Sequence, residues 1–187
     1  MTHIVVYCSS ASGLDARYTD TAVATGRIIG STGCALLYGG VNAGMMHITA
    51  QNAADNGAAE IIGVIPEVFA HRADPLLTVS KLTRDLAERK QVMIDDGDIF
   101  VVLPGGIGTI DEWISTLSHF KVVREQHRHI VVVNIDGAFD AQLSQLAVTA
   151  ESVFTASSDY MNRMSVVTDI DQLEKVLTER IHSYEKE

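Results

Sequence analysis

Proline is scarce in this 187-residue chain, which has only Pro66, Pro75 and Pro104. No stretch reads as a proline-rich linker, and no low-complexity tract interrupts the sequence. Cysteine is scarcer still. Cys8 and Cys34 each sit at an apolar segment with strand character, which suits buried thiols of a reduced, cytoplasmic protein better than a disulfide framework. No apolar run approaches the ~20 residues of a membrane helix, and the N-terminus lacks the charged-then-apolar pattern of a signal peptide. Positive charge is also short. Fourteen Lys and Arg face 24 Asp and Glu, a formal net charge of −10. Such a field repels phosphate backbones and argues against a general nucleic-acid binder. A small anion can still be held by backbone amides and a few local cations. The seven histidines form neither an H-E-x-x-H pair nor a Cys/His cluster, so neither a metal site nor a cofactor is expected. Ser9 and Ser10 lack the G-x-S-x-G surroundings of a serine nucleophile and read instead as ligand contacts or caps.

What is present is the material of an ordinary core, with 47% hydrophobic and 20% charged residues, and the length predicts one domain over 1–187. Short apolar runs alternate with longer amphipathic segments. Strands are expected at His3–Cys8, Cys34–Tyr38, Glu60–Ile65, Asp98–Leu103, His129–Asn134 and Ser165–Val167. Helices are expected near Tyr18–Ile29, Ala43–Asp55, Leu82–Asp95, Thr109–Val122, Phe139–Val153 and Asp169–Tyr184, with Glu67–Val79 irregular. Alternation of this kind, with central strands apolar on both faces, predicts an α/β fold. It is a doubly wound parallel sheet with helices on both faces. Ligands of such sheets sit at the carboxyl ends of strands, so the glycine turns after Cys8, Tyr38 and Leu103 are where chemistry is expected.

The most informative turn is Pro104-Gly105-Gly106-Ile107-Gly108-Thr109-Ile110-Asp111-Glu112. Its glycines let the backbone approach a ligand and take positive φ. The first amides of the following helix lack intrahelical partners and carry the positive end of its dipole, so a phosphate fits there, with the Thr109 hydroxyl as a further donor. Walker-loop and dinucleotide spacings are both absent. Two structural readings compete: tight strand–helix packing, and a capping box formed by Thr109 and Glu112.

Upstream lies Glu88-Arg89-Lys90-Gln91-Val92-Met93 on an expected helix. Alone it reads as a solvated charged face, with Asp85 and Arg89 spaced to pair. Together, E-R-K-x-x-M and, after a strand, P-G-G-x-G-T-x-x-E resemble the Lonely Guy family. Its members are phosphoribohydrolases that release cytokinin bases from riboside 5′-monophosphates, and related bacterial proteins cleave AMP. Many have carried the label lysine decarboxylase. Tyr7-Cys8-Ser9-Ser10, Leu37-Tyr38-Gly39-Gly40 with Gly44-Met45-Met46, Gly63-Val64-Ile65-Pro66 and Asn134-Ile135-Asp136-Gly137 extend the resemblance over most of the chain. It implies a Rossmann-like fold and a homodimer. By position it implies that Arg89 and Glu112 are the catalytic pair. It further implies that Lys90, Gly106, Ile107, Gly108, Thr109, Ile110, Asp111 and Ser118 contact substrate, and the glycine turn adds Gly105. The chain departs from the family pattern at Val41, His47, Leu86 and Ala87. In its shortened segment between Pro66 and Leu82, Asp74 is the candidate for an acidic contact seen in relatives.

The expected reaction is hydrolysis of an N-glycosidic bond, which builds positive charge on the ribose. Glu112 is the carboxylate to stabilise that charge and to position or deprotonate water. Arg89 can hold the phosphate, brace Glu112 or assist the departing base. Lys90 is either a neighbour of the phosphate or a solvated lysine. The competing function is a noncatalytic nucleotide-binding module. A lysine decarboxylase would need pyridoxal phosphate and a Schiff-base lysine, and no residue here is marked as one.

Overall fold

A computed structural model of the chain describes residues 1–150 and 159–184. Its strands are β1 (His3–Tyr7), β2 (Ala35–Tyr38), β3 (Ile61–Pro66), β4 (Val79–Thr83), β5 (Ile99–Val102), β6 (His129–Val133) and β7 (Met164–Val167). They form one all-parallel sheet in the order β4-β3-β2-β1-β5-β6-β7. Strand order reverses at β1, which pairs with β2 on one side and with β5 on the other. The carboxyl ends of β1 and β5 therefore flank the crevice where ligands of doubly wound sheets bind.

The helices are α1 (Ala16–Ser31), α2 (Gly44–Asp55), α3 (Leu86–Asp96), α4 (Ile107–Val123), α5 (Asp140–Ala150) and α6 (Ile170–Tyr184). The pleat of β1 sorts them into two layers. Ile4 and Val6 pack with Ala22 and Ile29 of α1, Ala50 and Ala53 of α2, and Leu173 and Leu177 of α6. Val5 and Tyr7 pack with Met93 of α3 and with Trp113, Leu117 and Phe120 of α4, and Leu143 of α5 joins that layer. Strands β1, β2, β5 and β6 are covered on both faces, and their aliphatic side chains each contribute about 1.5–3 kcal/mol by leaving water.

Two sequence expectations need correction. The segment after β3 is not irregular throughout and does not pass into a helix at Leu82. It holds a short 3-10 turn, Glu67–Arg72, and then the edge strand β4, in which Leu82 is exposed. Ser80, Lys81 and Thr83 gave this strand too polar a signature to be read as one, as befits an edge. Helix α3 starts only after Asp85, whose side chain accepts from the Glu88 amide at 2.8 Å. Helix α4 starts two residues earlier than expected. Its N-cap is Gly106, which makes no side-chain cap bond, so Thr109 and Glu112 lie inside the helix and form no capping box. The last residues of the expected helix Phe139–Val153, 151–153, lie outside the described residues.

Candidate functional site

A cleft of about 380 Å³ opens at the strand-order reversal. Its walls come from the β1–α1 loop (Cys8 to Ala11), Met46 of α2, Leu86, Arg89 and Lys90 of α3, and Gly106, Gly108, Thr109, Asp111 and Glu112 of α4. Glycines permit this convergence. A Cβ on Gly39 would collide with the Arg89 guanidinium and come within 2.9 Å of Met46 Cε, so Gly39 leaves the path by which Arg89 enters. A Cβ on Gly44 would strike the backbone of Ser10 and Ala11, so Gly44 lets the β1–α1 loop rest on the start of α2. The Met45 amide donates to the Ser9 carbonyl at 3.0 Å and fixes that contact.

In the glycine turn after β5 none of the three glycines has positive φ, contrary to expectation. Gly105 is required by packing, because the Thr109 side chain occupies the place of its Cβ. Gly106 and Gly108 face open space, and neither backbone strain nor crowding demands glycine there. What their missing side chains accomplish is to leave the first amides of α4 open to the cleft.

Arg89 Nη2 lies 2.9 Å from Glu112 Oε1, and both side chains are largely buried, 13% and 6% exposed. The Arg89 Nε donates to the Val64 carbonyl at 3.1 Å, which aims the guanidinium along the sheet's carboxyl edge. The contact with Glu112 is one of charge rather than of an aligned hydrogen bond, so Oε1 is buried without a donor. Burial pushes the Glu112 carboxyl above the usual carboxylate range, and the Arg89 charge opposes that rise. Lys90 is also spoken for. Its Nζ lies 2.8 Å from each carboxylate oxygen of Asp111 and 3.3 Å from Ser115 Oγ. Two cations are thus set against two carboxylates, and the start of α4, which has no side-chain cap, is the positive end of a helix dipole at the cleft wall.

The sequence-expected residues divide among three places. Arg89, Lys90, Gly106, Gly108, Thr109, Asp111 and Glu112 meet in the cleft. Ile107, Ile110 and Ser118 instead line a groove between α3 and α4, which Lys90 and Asp111 also border. Gly105 lines a smaller recess on the far side of Gly106. Asp74 does not line the cleft. Its side chain is fully buried, accepting from the Leu76 amide and lying 2.9 Å from His47 Nδ1. The departure at His47 and the acidic candidate Asp74 are thus partners of one another. Leu86 and Ala11 are wall residues that carried no sequence signal as site residues. Cys8 also reaches the cleft, but burial pushes its thiol well above the usual range and leaves it un-ionised. Among the described residues no group of three or more His, Cys, Asp or Glu could hold a metal ion. No described helix is long and apolar enough to cross a membrane.

Comparison with solved structures gives the fold. The molybdenum cofactor binding protein of Rippkaea orientalis aligns with a TM-score of 0.73 at 19% identity, over 96% of this chain and 97% of its own. The molybdenum cofactor carrier protein of Chlamydomonas reinhardtii aligns with a TM-score of 0.74 at 17% identity, over 97% and 98%. Comparison of sequences reaches further. The cytokinin riboside 5′-monophosphate phosphoribohydrolase LOG of rice (Oryza sativa subsp. japonica) is 33% identical over 156 residues, 82% of this chain and 63% of the rice protein. The chain therefore spans somewhat less than two-thirds of that relative's length. The cytokinin riboside 5′-monophosphate phosphoribohydrolase of Rhodococcoides fascians is 31% identical over 173 residues, 90% of this chain and 85% of that protein. A family model described as "possible lysine decarboxylase" matches residues 46–177, a span that contains both the E-R-K helix and the P-G-G-x-G-T turn. On these matches the chain belongs to the Lonely Guy family.

Proposed function

We propose that the chain is a phosphoribohydrolase that cleaves purine ribonucleoside 5′-monophosphates, with adenine or a cytokinin as the base, into free base and ribose 5-phosphate. The observation that carries this reading is Glu112. It is a buried carboxylate paired with Arg89 at 2.9 Å, on the wall of a cleft that also holds the start of α4. A carboxylate taken out of water beside a guanidinium costs desolvation, and its retention on a cleft wall is accounted for if it serves a bound substrate.

In this reading the 5′-phosphate sits on the amides near Gly106–Thr109, and the ribose lies toward Glu112. The bond between C1′ and the base nitrogen breaks, and its electron pair leaves with the base. Water adds its oxygen to C1′, and the proton it releases balances the charge on the base. Glu112 stabilises the oxocarbenium-like charge and orients or deprotonates that water. Arg89 keeps Glu112 ionised despite burial, which the 2.9 Å ion pair supports over a direct phosphate clamp. Lys90, occupied by Asp111, shapes the cleft wall. The phosphate does not react, and its binding energy holds the sugar in place.

The test is a product assay over a panel of nucleoside monophosphates and free nucleosides. AMP yields adenine and ribose 5-phosphate, while adenosine is turned over at least about 10²-fold less efficiently, as expected when remote binding energy is lost. AMP that binds without releasing adenine would assign the chain to the noncatalytic nucleotide-binding class. The reading includes a homodimer formed through the α3–α4 groove. Ile107 and Val122 are 82% and 78% exposed there, beside Ile94, Ile110 and Ile114. Because Lys90 and Asp111 border both groove and cleft, a second copy seated on this face would also wall the site.

A further inference from the structure

One carboxylate outside the cleft is buried more completely than Glu112. Asp74 lies in the connection between the 3-10 turn Glu67–Arg72 and β4, and its side chain has no exposed surface. Its Oδ1 accepts from the Leu76 amide at 3.1 Å, and its Oδ2 lies 2.9 Å from His47 Nδ1 on α2. A carboxylate accepts, so Nδ1 is the ring nitrogen that carries the hydrogen. The Tyr38 hydroxyl at the end of β2 faces the same carboxylate without an aligned hydrogen bond. The contact with His47 closes a frame around the β2–α2 loop. The Asp74 amide donates to the Gly40 carbonyl at 2.8 Å, and the Asn42 amide donates to the Arg72 carbonyl at 3.0 Å. Val41 and Ala73 form an antiparallel bridge between those two bonds. Gly40, at a φ of +69°, fits against Ile65 and Gly63 of β3. The near side of this loop is the seat of Arg89. A Cβ on Gly39 would stand 2.4 Å from Arg89 Nη2, so the guanidinium rests on bare backbone there. The same Nη2 is the atom 2.9 Å from Glu112 Oε1.

We infer that Asp74 and His47 are positioning residues for the Arg89–Glu112 pair, because by holding the β2–α2 loop they hold the surface on which the Arg89 guanidinium rests. The inference rests on that part of the reading above in which Arg89 keeps Glu112 ionised. Neither residue lines the cleft, so neither is expected to touch substrate. The bond from Arg89 Nε to the Val64 carbonyl anchors the stem end of the guanidinium. Its far end, Nη2, has the loop on one side and Glu112 on the other, and a loop that shifts takes away the backing that keeps the two charges together.

The readout is the protonation of Glu112, followed through the infrared carboxyl bands that Glu112→Gln removes. The groups that act on this carboxyl are Arg89 and Lys90 of α3, Asp111 of its own helix, and Tyr7 and Cys8 at the end of β1, and the His47 and Asp74 variants alter none of them. His47→Ala removes the contact with Asp74. It is expected to raise the pH at which Glu112 ionises by about one pH unit, less than Arg89→Gln does, because the attraction is weakened rather than abolished. His47→Asn is uncharged but keeps an N–H near the place of Nδ1, and it is expected to restore the wild-type titration. In the Arg89→Gln background, His47→Ala is expected to cause no further movement, because the path ends at Arg89. If His47→Ala does not fold, Asp74→Asn replaces it, with an acceptor retained for the Leu76 amide. Loss of the Asp74 charge by itself would move Glu112 the other way, so an upward movement in that variant has the loop as its cause. An unmoved Glu112 titration in a folded variant overturns the inference and reduces the pair to a tie that stabilises the loop. A movement of equal size with and without Arg89 also overturns it, since the effect then bypasses the guanidinium. The titration needs no turnover. A wild type that binds AMP without releasing adenine fails the proposed reaction, while a Glu112 titration that moves as described still supports the positioning role.

Discussion

In the proposed reaction Glu112 carries the chemistry in one side chain. Its charge is disfavoured by burial and favoured by Arg89, so its protonation depends on a neighbour 23 positions away in sequence. Glu112→Gln keeps the shape and removes the charge. Turnover of AMP is expected to fall about 10²-fold or more while AMP binding persists, as separate kinetic and calorimetric measurements would report. The pH dependence has a definite sign. The proposed reaction needs the ionised carboxylate, and burial raises its pKa, so activity is expected to decline as pH falls through a value above the ordinary carboxylate range. Arg89→Gln removes the influence that lowers that pKa and should move the Glu112 titration to still higher pH. Carboxylate infrared bands followed against pH read this directly, and an unmoved titration would dissociate the two residues. Sequence reasoning reached both of them only through resemblance. Taken alone, Arg89 read as part of a charged surface and Glu112 also as half of a capping box. Nothing in the local pattern reveals that α4 begins at Gly106, or that Arg89 is aimed inward by the Val64 carbonyl.

At the scale of elements, glycine positions carry the architecture. Helices α1 and α2 pack so closely that a Cβ on Gly26 would stand 2.5 Å from the Thr49 carbonyl oxygen, and one on Gly30 would stand 2.6 Å from that of Ala53. Gly26→Ala improves helix propensity by about 1 kcal/mol, yet the collision is with backbone and cannot be relieved by a rotamer change. A net loss of about 1–3 kcal/mol is expected in chemical denaturation, where propensity alone would predict a gain. Because α2 also carries Met46 into the cleft, the same variant should weaken AMP binding as the helix is pushed outward. The strands were legible wherever they are buried on both faces, since unbroken apolar runs such as Ile99–Val102 admit few other readings. The edge strand β4 was not, because one side of an edge strand faces water and its residues need not be apolar.

For the whole molecule, the open question is what covers the α3–α4 groove. A volume of about 770 Å³ bordered by Ile110, Ile114 and the exposed Ile107 and Val122 suits a second copy of the chain. Sedimentation analysis is expected to find a dimer, and Ile114→Glu is expected to shift it to monomer, because a charge placed at a symmetric interface meets itself across the axis. If the neighbouring copy walls the cleft, the monomeric variant also loses AMP hydrolysis, although Ile114 does not line the cleft. A monomeric wild type would remove the dimer from the proposal without touching Glu112 or the amides of α4.

Among the described residues, every strand except β4, all six helices and the two-layered α/β plan were legible in the sequence itself, which also marked the Leu103–Thr109 turn as the place to look for a ligand. Each depends on periodicity and turn chemistry within a few consecutive residues. The tertiary structure alone decided that Arg89 meets Glu112 and that Asp74 is turned toward His47 rather than toward the cleft. It also decided that Ser118 faces a groove and that a second recess lies beyond Gly106. The physical reason is that desolvation, ion pairing and cavity shape belong to surfaces contributed by distant segments. Their value at any residue is set by neighbours that only the sheet order brings together.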